Sequence, residues 1–492
     1  MKLFLTLLLS LLSLCPGKES SPWFYSIVID AGSKGSRLIL FKWQPETTVP
    51  RKHLQIPITV GSKSVNPGIA ASALDPQSVK QPLKELIDFA VDTLKPLEPV
   101  FHLIPLYLKA TAGMRDLIPS ARDAVMRETI AFLCTNAPFD FDASRALVIS
   151  GEEEGAYAWL SINALKGVLG ADRGESSYGI IDLGGASMQI SFVPETNHYV
   201  LQNCYPISLT DMSTYRLYAK SYLHYGIVEA NRRLASTIIT ENVLKVDSVS
   251  EIDNPCYYQG MTFNPDFATR RYKIPISVTM TGRGDFNKCV EELKNLFNKD
   301  SVQCWVRDCT FDGVYQPRLD RRPFVGIGNI GKLLSLIGVP PTASLKAVRD
   351  QAARICAMSY AQIQQEYPDL SNKTRKNLCF SISYIYTMLT YGLGFTISDV
   401  TDPTGQASQI EFTSMVNSTK VDWALGAMVW EVNQQPPPTI ESYLKEAKGL
   451  PTSQIKAIGG DQAGIPMTDD ILGELPDIKV KLPESSSVFN GF

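Results

Sequence analysis

Two short apolar runs, each broken by small residues and then resumed, recur along the chain. The first is IVIDAGSKGSRLILF, residues 27–41, and the second is GIIDLGGASMQISF, residues 179–192. Apolar, partly β-branched runs interrupted by Gly and Ser predict strand–turn–strand hairpins. In both copies an Asp closes the first strand, and Gly, Ser or Ala follow in the turn. Between the copies, apolar periodicity predicts helices over 77–97 and 120–134. A buried strand is predicted within 101–117, ending in a small-residue turn, and a strand followed by a helix over 146–170. Ser150 with Glu153 matches a capping box at the start of that last helix. Beyond the second hairpin the pattern predicts helices near 211–244 and 285–299. The apolar run 378–395 contains Ser, Thr and Tyr, which suits a buried helix better than a membrane span. Strands alternating with helices predict an α/β fold. One hairpin repeated at long range predicts two related α/β halves rather than a solenoid.

Length supports that division, because 492 residues exceed what one small core organises. A net charge of −3 and the lack of a Lys/Arg block exclude a nucleic-acid partner, so an anionic ligand must be gripped locally. The first residues, MKLFLTLLLSLLSLCPGKES, place one Lys before an apolar stretch that ends at Cys, Pro and Gly. This predicts a secretory signal over 1–20 rather than a transmembrane span. Leu14 suits a lipoprotein cleavage site poorly, so lipid anchoring at Cys15 is the weaker reading. Nine cysteines less Cys15 leave an even eight, as disulfides in an oxidising compartment require. Cys304 with Cys309 and Cys356 with Cys379 are near enough in sequence to pair, while Cys134 also suits a buried thiol. Pro-rich NQQPPPT, residues 433–439, marks a boundary before a tail.

The hairpin turns are where chemistry enters. Successive backbone N–H groups in such a turn can converge on an anion, and Gly lets a phosphate oxygen come close. An Asp at the strand end suits a hydrated divalent cation such as Mg²⁺. Two matched turns facing each other across a cleft would grip two phosphates. In KATAGMR, residues 109–115, Thr111 stands where a buried strand opens onto that cleft, suited to a cation-bound water or to an N-cap. In SGEEEG, residues 150–155, Glu152 and Glu153 complement the helix dipole. Glu154 is the candidate general base for water attacking a terminal phosphorus. PFVGIGNIGKLL, residues 323–334, completes neither nucleotide motif: Leu333 follows Lys332 where a P-loop needs Ser or Thr, and Asp350 lies in a helical stretch. RGD at 283–285 is short enough to arise by chance. Four His without HExxH or paired CxxC argue against a zinc site.

DAGSKGSR, KATAGMR, GEEEGAYAW, DLGGASMQI and VDWALGAM (421–428) occur in the order of the five apyrase conserved regions. Over residues 28–428 the chain resembles the ecto-nucleoside triphosphate diphosphohydrolase family. That resemblance implies an actin-like fold of two RNase-H-like domains with the active site in the interdomain cleft. Domain I would span 21–150, completed by about 416–450, domain II would span 151–415, and a tail would span 451–492. It implies stepwise hydrolysis of nucleoside tri- and diphosphates to the monophosphate with Mg²⁺ or Ca²⁺, by direct in-line attack of water. Asp30 and Asp182, helped by Thr111, would hold the cation through bound waters. Ser33, Lys34, Gly35 and Ser36 would form one phosphate loop, and Gly184, Gly185 and Ala186 the other. Glu154 would be the base, with Ser187 and Gln189 positioning the water and Trp423 near the cation. Tyr384 and Asn329 would contact the nucleobase.

The chain also departs from the family pattern. Lys34 stands where members usually have Ser or Thr. Residues 323–332 lack the aromatic pair of many animal members, and flanking membrane spans are absent, which predicts a soluble protein after signal cleavage. Asn372 and Asn417 head glycosylation tripeptides for a eukaryotic source. An exopolyphosphatase or pppGpp phosphatase would share the two-hairpin grip but not the cysteines or the Trp423 motif. A non-hydrolytic actin-like nucleotide-binding protein would not need Glu154, and a sugar kinase would need a second substrate site.

Overall fold

The computed structural model describes residues 23–44, 54–169, 176–195, 202–209, 214–243, 251–265, 278–299, 302–305, 309–319, 322–396 and 409–434. The expected signal segment 1–20 with Cys15, and the tail 451–492, lie outside the described residues.

The first hairpin, β1 (Phe24–Ala31) and β2 (Ser36–Trp43), joins β3 (Ile58–Val65), β4 (Leu106–Ala110) and β5 (Ala146–Val148) in one sheet. Its order is β3-β2-β1-β4-β5. Strands β1 to β3 pair antiparallel, while β4 and β5 run parallel to β1. The second hairpin is β6 (Gly179–Leu183) and β7 (Ser187–Phe192), followed by β8 (Cys204–Ser208) and β9 (Thr214–Leu223). A small sheet of β10 (Glu251–Asn254), β11 (Thr262–Phe263) and β12 (Thr279–Gly282) comes next in the chain. Strands β13 (Phe324–Gly328) and β14 (Ile410–Phe412) then complete the second large sheet, ordered β14-β13-β6-β7-β9-β8. Here β6, β7 and β9 pair antiparallel, and β13 and β14 run parallel to β6. Five strands of each sheet therefore share one order and one pattern of directions. The repeat seen in the sequence is a repeat of a whole half.

A helix follows the last parallel strand of each half. Gly151–Leu165 follows β5, and Trp423–Gln434 follows β14. The first is apolar on every side and buried from Glu154 to Ala164, as a helix enclosed on all faces must be. It packs on β6, β7 and β9 and against the Trp423 helix, which in turn meets β1. The two helices thus lie together between the sheets, and their side chains share one core with β1, β2 and β4. Gly426 permits their close approach, because a Cβ there would stand 1.7 Å from the Tyr157 carbonyl oxygen. Gly426→Val is therefore expected to destabilise the fold by about 3 kcal/mol, since backbone cannot yield as a side chain can. A lowered denaturant midpoint at unchanged m-value would show it.

Two expectations from periodicity need correction. The stretch near 211–244 is not helical throughout: β9 occupies Thr214–Leu223 and a helix occupies Ile227–Val243. Tyr215, Leu217 and Ala219 alternate into the core while the strand ladders with β7, a period of two that the mixed polar residues obscure. Within 101–117 only Leu106–Ala110 is strand, and a 3₁₀ stretch ends at Leu103. The Ser150 cap forms, its Oγ accepting from the Glu153 N–H at 3.0 Å. Glu153, however, accepts from the Tyr157 hydroxyl instead of returning to the cap.

The 378–395 run is a buried helix, Leu378–Thr387, extended by a π turn. Among the described residues no helix is long and apolar enough to cross a membrane. Disulfides join Cys304 to Cys309 and Cys356 to Cys379, as the spacing suggested, and Cys256 to Cys289. Cys134 and Cys204 are free, and Cys134 is exposed rather than buried.

Candidate active site

In the first hairpin Asp30 stands opposite Arg37, and in the second Asp182 stands opposite Gln189. The turns between them, 32–35 and 184–187, have the same length and the same register on their strands. They also meet. A Cβ on Gly185 would come within 2.8 Å of Lys34 Cε and 2.9 Å of Ser33 Oγ, so these exposed side chains lie directly against the second turn. Ser33 and Lys34 are exposed at the mouth, Gly35, Gly184 and Gly185 are half-buried, and Ala186 and Ser187 are buried. Ser36 lies apart from that mouth group. It is fully buried in β2, and its Oγ accepts from the Ile69 N–H at 3.4 Å.

Glu154 sits in the first turn of the Gly151–Leu165 helix, buried against β7. Its Oε2 accepts from Arg115 Nη2 at 2.7 Å and lies 3.3 Å from Gln189 Nε2. Gln189 Nε2 in turn reaches Ser187 Oγ at 2.8 Å and Ser221 Oγ at 3.0 Å. Base candidate, Ser187 and Gln189 therefore form one connected group. Burial pushes the Glu154 carboxyl above its ordinary range, and Arg115 offsets part of that rise.

The two Asp side chains are under stronger strain. Burial lifts Asp30 to about 7, Arg37 opposing it while Asp422 and Glu154 add to it. Burial lifts Asp182 to about 8, reinforced by repulsion from Glu154, Asp422 and Asp30. Arg37 lies 3.4 Å from Asp30 and 2.6 Å from Asp422. Four carboxylates thus share one region with Arg37, Arg115 and Lys420, which lies 3.8 Å from Asp422. Among the described residues no three His, Cys, Asp or Glu side chains close into a direct cage for a metal. Mutually repelling, desolvated hard-oxygen donors without a closed cage suit Mg²⁺ or Ca²⁺ held through waters. The residues present fit such a cation.

Thr111 stands buried at the end of β4, at the N-cap position of a short helix, yet its side chain makes no capping bond there. Trp423 is buried in the core shared by the two central helices, next to Asp422, whose Oδ1 caps the Trp423 helix through the Leu425 N–H at 3.1 Å. Of the two nucleobase candidates, Tyr384 is not placed as the resemblance would have it. Tyr384 is fully buried, stacked on Phe297 and Phe380, with its hydroxyl donating to the Tyr225 carbonyl at 2.6 Å. A ring so enclosed has no free face for a base. Asn329 donates to the Leu183 and Gly184 carbonyls at 2.7 and 3.1 Å, so its amide braces the second loop.

Arg115, Arg37, Asp422 and Ser221 were not singled out from the sequence. The first three lie inside the quoted motifs, and an unassigned charge within a motif was the only available signal. Ser221 had none.

A family model for the GDA1/CD39 (nucleoside phosphatase) family matches residues 18–446. The chain belongs to this family. Among its relatives, ectonucleoside triphosphate diphosphohydrolase 3 of Homo sapiens is 30% identical over 444 residues, covering 84% of this chain and 79% of the relative. The Golgi apyrase of Schizosaccharomyces pombe is 29% identical, covering 84% and 76%. The probable apyrase 5 of Arabidopsis thaliana is 27% identical, covering 82% and 81%. A crystal structure of nucleoside triphosphate hydrolases from Neospora caninum shares the fold, with a TM-score of 0.63 at 16% identity over 88% of this chain and 97% of that one. The family and this likeness bear out the actin-like α/β fold.

Proposed function

We propose that the chain hydrolyses nucleoside tri- and diphosphates to the monophosphate, with a divalent cation, by direct attack of water that Glu154 deprotonates. The observation that supports this most is the connected group of Glu154, Ser187 and Gln189 beside two matched, touching Asp-ended turns. Backbone N–H groups of turns 32–35 and 184–187 would hold the terminal and adjacent phosphates. Asp30 and Asp182, with Thr111, would hold the cation through waters. When bound, the cation supplies charge neutralisation for the phosphate oxygens. Ser187 and Gln189 orient the attacking water in line with the leaving oxygen. Its proton passes to Glu154 Oε1, the oxygen left without a protein partner among the described residues. Arg115 holds Oε2 and so fixes the carboxylate plane. The three disulfides among the described residues favour an oxidising compartment, in keeping with secretion.

Phosphate release from ATP, ADP, GDP, UDP and polyphosphate, with Mg²⁺, Ca²⁺ or EDTA, tests the reading. Cation-dependent release from both tri- and diphosphates is expected. Release from polyphosphate alone, or ATP binding without turnover, would overturn it. Saturating Mg²⁺ or Ca²⁺ should also raise the melting temperature, by on the order of 5 °C at a hundredfold excess over Kd. EDTA should abolish the shift.

A further inference from the structure

The row of side chains beside Glu154 extends one strand further than the quoted motifs. Gln189 of β7 stands opposite Asp182 of β6 on one side and opposite Ser221 of β9 on the other. Residues paired in this way share one face of a sheet, with their side chains in reach of each other. The start of the helix carrying Glu154 comes down on the end of this row. Gly151, its first residue, allows that approach, because a Cβ there would stand 2.2 Å from both Cβ and Oγ of Ser221. The same Cβ would lie 3.6 Å from Arg115 Nη2. Glu152 ties strand to helix at this point, its Oε1 accepting from Lys220 Nζ at 3.3 Å and from the Ser221 N–H at 3.5 Å. Backbone and Cβ thus hold Ser221 in place, which leaves the hydroxyl to face Gln189.

That hydroxyl has one partner among the described residues, Gln189 Nε2 at 3.0 Å. The same nitrogen lies 2.8 Å from Ser187 Oγ and 3.3 Å from Glu154 Oε2, so two N–H bonds meet three acceptors. A carboxylate only accepts, which turns the NH₂ end of the amide toward Glu154. A single bond to Ser187, two residues along the same strand, would let the amide swing about it. A second acceptor on the neighbouring strand fixes its plane. Gln189 Oε1 is then the end of the amide without a protein partner among the described residues, as Oε1 of Glu154 is for the carboxylate. A water has two hydrogens to place. One goes to Glu154 as the water attacks, and Gln189 Oε1 can accept the other, which leaves a lone pair for phosphorus.

We infer that Ser221 is a positioning residue of the hydrolysis: its hydroxyl takes one N–H of Gln189 and locks the amide so that Oε1 faces the attacking water. Its role rests on the hydrolase reading above and extends that site to β9, a strand outside all five quoted motifs. Ser221 touches neither substrate nor water itself; it acts through Gln189. A serine kept for packing alone would be replaceable by alanine without kinetic consequence.

Steady-state kinetics of Ser221→Ala with ATP and ADP, at saturating cation, test this role. For both nucleotides kcat should fall about five- to tenfold, the size of one hydrogen bond. KM should move less than about twofold, as for a contact that matters in the transition state. In a Gln189→Ala background the same substitution should change kcat less than about twofold, because the amide it orients is gone. A purely structural serine would cost the same in either background. Ser221→Cys keeps the bulk of the side chain and weakens the acceptor. It should reproduce the kcat loss even where the Ala variant folds poorly. Wild-type kcat in both the Ala and Cys variants, a change confined to KM, or full additivity with Gln189→Ala would overturn the role of Ser221 and leave hydrolysis intact. A wild-type chain that releases phosphate from neither nucleotide would instead bring down the hydrolase reading, and the role of Ser221 with it.

Discussion

Glu154→Gln should lower kcat for ATP and ADP by about 10²–10⁴-fold, the range a positioned general base contributes. Gln keeps the size of the side chain and an acceptor oxygen for Arg115 Nη2, so the ion-pair network loses a charge and not its shape. Nucleotide KM and the circular dichroism spectrum should stay close to wild type. The pH dependence gives a second, independent signature. Only ionised Glu154 can take the proton of water, and burial lifts its carboxyl above 4.5 despite Arg115. In the wild type kcat should therefore fall as pH drops through a value above the ordinary Glu range, and this limb should vanish in the variant. A loss smaller than tenfold, or an unchanged acidic limb, would remove Glu154 from the role of base.

Asp182→Asn should produce the next largest effect, a fall in kcat/KM on the order of 10²–10³-fold, as when one electrostatic stabiliser of the transition state is removed. Its effect on stability should have the opposite sign. Asp182 is desolvated and repelled by Glu154, Asp422 and Asp30, which lifts its pKa to about 8. Its ionised form is thus costly in the cation-free fold, and a neutral amide removes that cost. The variant should melt at a higher temperature than wild type in EDTA, yet gain much less on addition of Mg²⁺ or Ca²⁺. A variant that is less stable in EDTA and inactive would indicate a structural Asp and not a cation-holding one. Thermal melts with and without cation separate the two outcomes.

Much of this architecture could be read from the residues because it is local. Each hairpin is a β-branched run, an Asp and a small-residue turn within some fourteen consecutive positions, and the helix cap at Ser150 needs only its near neighbours. The pairing of the halves was visible as a repeat. What escaped was set by contacts distant in sequence. Arg37 meets Asp422 across 385 positions, and Arg115 meets Glu154 across 39. Neither pair has a spacing that a periodic pattern could reveal. Tyr384 shows the reverse failure. An aromatic within an apolar helix serves equally as a core ring or as a stacking platform, and only its enclosure by Phe297 and Phe380 decides for the core. The strand at 214–223 was hidden because Arg216 and Lys220 interrupt its apolar run, and because Tyr218 and Tyr222, on the same face as those two, are buried as well, so no clean alternation survives in the sequence.

The two halves share one plan, but they differ at the residue facing each Asp: Arg37 in one, Gln189 in the other. A cleft with true twofold symmetry would accept a linear polyphosphate in either direction, with both ends equivalent. This cleft has a polarity. One wall holds charge and the other holds a hydrogen-bonding amide linked to Glu154. The two ends of a bound phosphate chain would therefore meet unlike surroundings, although the hairpins that supply them share one plan.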